Sequence, residues 1–160
     1  MGKIEVKERK QCTLAYIEHF GPYDAIPFEK YFPQLYGFAK EQKVMPGFMP
    51  LGIYFSNPQQ TSSAKCRSEI AITITGKANP SGKIKIKDLP AMTVAVIKHK
   101  DTADKFDETY KELTNWLSEN EYEQIGPMIE IYTKKPKTVG KEMIIYAHIQ
   151  APVKKKSSIS

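Results

Sequence analysis

Laid on itself at a shift of 80 residues, the chain matches its own second half, and this internal repeat restricts the possible folds more than any other feature. Lys3-Ile4-Glu5-Val6-Lys7 falls on Lys83-Ile84-Lys85-Ile86-Lys87. Thr13-Leu14-Ala15-Tyr16-Ile17-Glu18-His19 falls on Thr93-Val94-Ala95-Val96-Ile97-Lys98-His99, and seven of the twelve pairs are identical. The register then slips by two, so that Gly52-Ile53-Tyr54 meets Glu130-Ile131-Tyr132 and Pro58 meets Pro136. A repeat of this length is one supersecondary unit used twice.

Each half reads the same way. A short charged strand leads into an alternating strand (13–20, then 92–99), an amphipathic helix follows, and two more strands close the unit (51–55 and 68–75; 128–133 and 142–150). The second helix carries Ala103, Phe106, Tyr110, Leu113 and Leu117 as a 3-4-3-4 stripe, with Asp101, Thr102 and Asp104 at its start, and should end near Asn120. The first helix follows Gly21-Pro22 with Asp24 as a possible cap and turns Phe28, Tyr31, Leu35 and Phe38 or Ala39 inward. Pro33 should kink that helix or delay its start. Half of 160 residues gives a thin core, and two like units gain by sharing one. The expectation is therefore an α+β fold of duplicated βαββ units (3–75 and 83–153) with pseudo-twofold symmetry. Its antiparallel strands curve together like a barrel and its two helices pack outside. Residues 1–153 form a single domain in this reading.

Charge excludes more than it suggests. The formal net charge is +6, but Lys154, Lys155 and Lys156 sit just before a Ser-rich end, and without these three the remainder is +3. Residues 154–160 read as a disordered basic tail. Other lysines, such as Lys83, Lys85 and Lys87, read as blunting strand edges. No basic face with interleaved aromatics stands out, which sets aside direct nucleic-acid binding. No apolar run approaches the ~20 residues of a membrane span, so no membrane partner and a cytoplasmic location are expected. Cys12 and Cys66 form neither a metal spacing nor a disulfide framework, and the paired histidines His19 and His99 have no Cys or Asp cluster beside them. No cofactor or metal is expected.

The stretch Gly126-Pro127-Met128-Ile129-Glu130-Ile131-Tyr132 carries the candidate chemistry. Period-2 alternation puts Ile129 and Ile131 on a core face, and sets Glu130 between Met128 and Tyr132 on the other face. A carboxylate between a thioether and a phenol is poorly placed unless something positive meets it. Either a ligand or a neighbouring lysine such as Lys134 would serve. On the repeat, Gly52 is the partner of Glu130 and Tyr54 of Tyr132, so one position holds charge and its mirror holds nothing, leaving room for a ligand. If Ala15 and Ile17 pack against the helices, Tyr16 and Phe20 point toward a cleft with Tyr54, Tyr132 and Tyr146. Such an aromatic wall suits a flat organic cation.

Gly21-Pro22-Tyr23, Tyr54-Phe55-Ser56-Asn57-Pro58, Cys66-Arg67-Ser68-Glu69, Tyr122-Glu123, Glu130-Ile131-Tyr132 and Ile149-Gln150-Ala151-Pro152-Val153 together resemble the GyrI-like small-molecule-binding domain, over roughly residues 3–153. The resemblance implies a barrel-like sheet of duplicated βαββ units with an aromatic cleft whose acidic residue, here Glu130, pairs with lipophilic cations. It implies drug or toxin sensing or sequestration, as in the effector-binding domains of multidrug-sensing and AraC-type regulators. Two further activities known in the family stay open. One is hydrolysis of cyclopropanoid toxins with Glu130 as the catalytic acid or base, and the other is inhibition of DNA gyrase through protein contact.

Overall fold

The computed structural model describes residues 3–57 and 60–157, so Pro58 of the repeat alignment lies outside the described residues. In chain order the elements are β1 (Glu5–Arg9), β2 (Cys12–Phe20), α1 (Phe28–Glu41), β3 (Met45–Pro46), β4 (Leu51–Tyr54), β5 (Arg67–Thr75) and β6 (Ile84–Leu89). Then follow β7 (Met92–Asp101), α2 (Phe106–Glu119), β8 (Tyr122–Gln124), β9 (Met128–Val139) and β10 (Glu142–Lys155). The class is α+β, with the same succession of elements used twice.

Two compact units divide the chain, one of residues 1–9 with 92–160 and the other of residues 10–91. Within the first, β1, β7, β10 and β9 lie side by side and β8 pairs with the end of β10. Within the second, the order is β6, β2, β5, β4, with β3 also on β5. All the pairings inside each unit are antiparallel. The leading strand of each repeat thus pairs outside its own half: β1 on β7 and β6 on β2. The links explain this. Lys10-Gln11 and Pro90-Ala91 offer none of the positive-φ residues that a two-residue hairpin turn requires, so the chain runs on instead of reversing.

Each helix covers one face of its own sheet. In unit two, Leu35, Phe38 and Ala39 of α1 pack on Ala15, Ile17, Ile70, Ile72 and Ile74. In unit one, Leu113 and Leu117 of α2 pack on Ala95, Ile97, Ile149, Ala151 and Val153. The stripe expected for α2 is present, and the helix ends at an Asn120 cap, although Ala103–Lys105 forms a separate 3-10 turn before it. Asp24 sits in a 3-10 turn and does not cap α1, which begins after Pro27 and carries Pro33 inside it.

The last strands run further than the sequence pattern suggests. The strand expected over 128–133 continues to Val139, and that over 142–150 to Lys155. Lys154 and Lys155, read as tail, are rungs opposite Glu123 and Tyr122. Residues 158–160 lie outside the described residues. No helix among the described residues is long and apolar enough to cross a membrane.

Candidate functional site

Strand register reproduces the repeat at the positions that matter. Glu130 lies opposite Ile149 and Tyr132 opposite Ala147; in the other unit Gly52 lies opposite Ile70 and Tyr54 opposite Ser68. His99 faces Ala147 just as His19 faces Ser68, so the matching runs three strands deep in each unit.

In unit one, Glu130 is 8% exposed, although it is a carboxylate on a strand. Met128, two residues away on the same face, packs into the cluster beneath α2. Glu130 therefore looks toward the helix. Both faces of β9 are buried here, and the face assigned to the core by Ile129 and Ile131 is the one turned away from α2. The carboxylate is held by two phenols. Tyr110, from α2, donates to Oε2, and Tyr132 donates to Oε1 at 2.9 Å.

Among the described residues no cation pairs with Glu130. Lys134, the alternative partner, instead lies with its Nζ 4.2 Å from the centre of the Tyr146 ring. Burial raises the Glu130 pKa, and the hydrogen bonds from Tyr110 and Tyr132 act in the opposite direction without cancelling that effect. The two phenols leave further lone pairs on the carboxylate. Glu130 is thus a proton-accepting group in an apolar setting with acceptor capacity in reserve.

The candidate residues of unit two separate onto two faces. Gly52 and Tyr54 share the α1 side with Ala15 and Ile17, whereas Tyr16 and Phe20 alternate onto the opposite side. A single wall of Tyr16, Phe20 and Tyr54 does not form. The space beside Gly52 is also taken. A Cβ added there would meet Tyr54 Oη at 2.7 Å, because the Tyr54 ring folds back over the glycine and stands edge-on to Tyr23 at 5.0 Å. Tyr16 already has a cation on its ring, with Lys87 Nζ 4.6 Å from the centre, and Phe20 ends its strand 61% exposed.

A charge cluster that sequence reasoning did not single out lies on the Tyr16 side. Glu18 and Glu69 are direct cross-strand partners, and Glu69 is only 1% exposed. Lys87 and Arg67 both pair with Glu69, Arg67 at 2.9 Å. Arg67 also reaches Glu18 at 3.0 Å and stacks 4.2 Å over Phe55. Lys85 completes the group at 3.7 Å from Glu18. The alternation Lys83-Lys85-Lys87 was the available signal, and it was read as edge protection.

The histidines are held by their neighbours. His99 bonds Thr109 Oγ1 at 2.7 Å and the Thr102 carbonyl at 3.1 Å and stacks on Phe106, and His19 bonds the Tyr31 hydroxyl at 3.1 Å. Among the described residues no three His, Cys, Asp or Glu side chains gather closely enough to hold a metal ion.

Comparison with known proteins decides the family. The GyrI-like small molecule binding domain matches residues 2–154. The chain belongs to the GyrI-like family. No curated protein matches it. Among solved structures, this GyrI-like chain is similar to the EcmrR C-terminal domain (TM-score 0.80, 18% identity, 97% of this chain and 99% of that one). It is similar as well to a hydrolase encoded by lin2189 from Listeria innocua (TM-score 0.70, 13% identity, 95% and 92%). A third similar structure is SAV2435 bound to tetraphenylphosphonium (TM-score 0.60, 13% identity, 95% and 94%). At these identities the likeness is one of fold.

Proposed function

We propose that this GyrI-like domain binds amphipathic organic cations for sensing or sequestration, with the Glu130 carboxylate as their counter-ion. One observation carries the reading: a carboxylate 8% exposed is held by two phenols and, among the described residues, by no lysine or arginine. An unpaired charge in such a place is costly, and a cation brought by the ligand offsets that cost. Met128 and the rings of Tyr110 and Tyr132 supply the apolar and aromatic surface around it. SAV2435, which shares the fold, was solved with the lipophilic cation tetraphenylphosphonium.

Quenching of Trp116, which lies on the same helix as Tyr110, reports binding. Tetraphenylphosphonium should quench, and Glu130→Gln should weaken that cation at least tenfold while affecting neutral triphenylphosphine oxide far less. Equal losses for both ligands would reject the counter-ion role.

A second reading has its own support. A carboxyl whose pKa is raised by burial, held beside two phenols, can also serve as a proton donor, and the hydrolase encoded by lin2189 from Listeria innocua shares this fold. Glu130 would then give its proton to the ring carbon released as the strained C–C bond breaks, water would form the new C–O bond, and the spare proton of that water would return to the Glu130 carboxylate. The appearance of ring-opened product above the buffer rate, lost in Glu130→Gln, is the expected result. Its absence removes this reading.

A further inference from the structure

The chain leaves α1 through a loop whose apolar side chains stand in water. Among the described residues Phe48 is the most exposed large hydrophobic, at 99%, and Met45 and Met49 flank it at 70% and 48%. Strand pairing places them on a bulge of unit two. Met45 and Pro46 lie opposite Thr75 and Ile74, the Gly47 amide donates to the Thr73 carbonyl at 2.8 Å, and pairing resumes with Leu51 opposite Ala71. Phe48, Met49 and Pro50 thus stand against Ile72 alone. The base of the bulge is fastened. The Tyr36 hydroxyl donates to the Gly47 carbonyl at 3.1 Å, a Cβ on Gly47 would run into Thr73 Oγ1, and Pro46 and Pro50 fix φ on either side.

The fold does not require these side chains. Gly47 corresponds to Ile125 in the other copy of the repeat, whose amide makes the matching bond to the Pro152 carbonyl at 2.8 Å. On that correspondence Phe48 falls on Gly126, Met49 on Pro127 and Met45 on Glu123. The same turn is therefore built with a glycine at its tip and a carboxylate at its base. Scattered apolar residues are ordinary at a surface, but three neighbours on one fastened bulge form a patch.

Cations stand behind the tip. Lys40 lies one helical turn beyond Tyr36, on the face of α1 that meets the loop, and Lys43 follows the helix. Lys77 follows Gly76, which packs on Val44. All three lysines are exposed, and among the described residues none is in an ion pair. Residues 36–50 and 73–79 together hold these three lysines against one acid, Glu41, for a net +2.

We propose that this loop docks on an anionic lipid surface, with Met45, Phe48 and Met49 entering between the headgroups and Lys40, Lys43 and Lys77 resting against the lipid phosphates. Size and charge select the bilayer. Three side chains on a convex bulge offer far less than the about 800 Å² that each partner of a stable protein interface covers. A bilayer asks only for a protruding apolar tip with cations behind it. Lys43 is two residues from Met45, about 7 Å of extended chain, comparable with the about 5–10 Å to which apolar groups sink at the interface. The lack of an apolar run of ~20 residues speaks against a span and not against a contact of this kind. This inference does not depend on Glu130.

The test is sedimentation of the full chain with phosphatidylcholine vesicles containing about 30% phosphatidylserine, beside vesicles of phosphatidylcholine alone. Binding should need the anionic lipid and weaken as salt rises. Phe48→Ser should weaken it roughly tenfold or more with Tm unchanged, because that side chain is fully exposed in the free protein. Lys40→Gln/Lys43→Gln/Lys77→Gln should have an effect of similar size, each lysine being worth roughly fivefold near such a surface. Phe48→Trp should keep binding and add an emission that moves to shorter wavelength on the vesicles, which places the loop itself at the lipid. Lys154→Gln/Lys155→Gln/Lys156→Gln should leave binding unchanged. No binding to the anionic vesicles, unchanged binding by Phe48→Ser, a loss that follows residues 154–156 instead, or a dimer that Phe48→Ser dissolves in protein that ignores vesicles would each overturn the proposal.

Discussion

The hydroxyl of Tyr132 reaches back two residues along its own strand and donates to Glu130 Oε1 at 2.9 Å, while on the matching rungs of the repeat Tyr54 folds its ring over Gly52. One tyrosine position does two jobs. Where the repeat carries a carboxylate, the phenol solvates it, and where the repeat carries glycine, the ring fills the gap.

Glu130 makes stability depend on pH in a definite direction. Burial raises its pKa in the folded state above that of the unfolded chain. The folded protein therefore holds a proton that the unfolded chain has already released, and stability falls as pH rises from the unfolded value through the folded one. Glu130→Gln should abolish that fall and raise Tm above it, measured by thermal melts from pH 4 to 9. A fall of the same size in the variant would assign the dependence to another group.

Removing one phenol isolates its contribution. Tyr132→Phe withdraws a hydrogen bond that favours the charged carboxylate, so the Glu130 pKa should rise further, as read from its side-chain carboxyl carbon by NMR. Stability should drop by about 1–3 kcal/mol at pH values where Glu130 is ionised, and by less where it is protonated.

Gly52→Ala should destabilise by about 1–3 kcal/mol, because the new methyl group must displace the Tyr54 ring. Shortening that ring relieves the clash. In a denaturation cycle, Gly52→Ala should therefore cost much less when Tyr54→Leu is already present. Equal costs in both backgrounds would mean that the ring does not fill the site.

Among the described residues Glu69 is the other buried carboxylate, and its cations are internal. Lys87→Met keeps much of the side-chain stem but removes one of its two cationic partners. A loss approaching the roughly 3–5 kcal/mol of a broken buried pair is expected, lessened by the remaining Arg67. The comparison variant is Lys105→Met, which breaks an exposed i,i+3 pair with Glu108 and should change stability by less than about 1 kcal/mol.

Much of this was legible in the chain, for physical reasons. Packing imposes like residues on like positions, so the alignment of Gly52 with Glu130 and Tyr54 with Tyr132 returns as strand register. The burial of Glu130 followed from its apolar neighbours. Ile129 and Ile131 are buried as their alternation implied, but periodicity does not specify which face of β9 meets a helix, because both are buried, and only the packing of Met128 beneath α2 fixes it. The pairing of β1 with β7 was hidden because partner choice over a long span of sequence leaves no local trace. The extension of β9 to Val139 was missed because Lys134-Lys135-Pro136-Lys137 has poor strand propensity, and only the opposing strand makes it one.

Calorimetric titration of the full chain with tetraphenylphosphonium across pH 4 to 9 tests the central claim most directly, with triphenylphosphine oxide and Glu130→Gln as controls. Affinity for the cation should climb as pH rises and Glu130 ionises, then level off, while the neutral ligand and the Gln variant show flat profiles. A cation affinity that does not change with pH and is undiminished in Glu130→Gln would contradict the account.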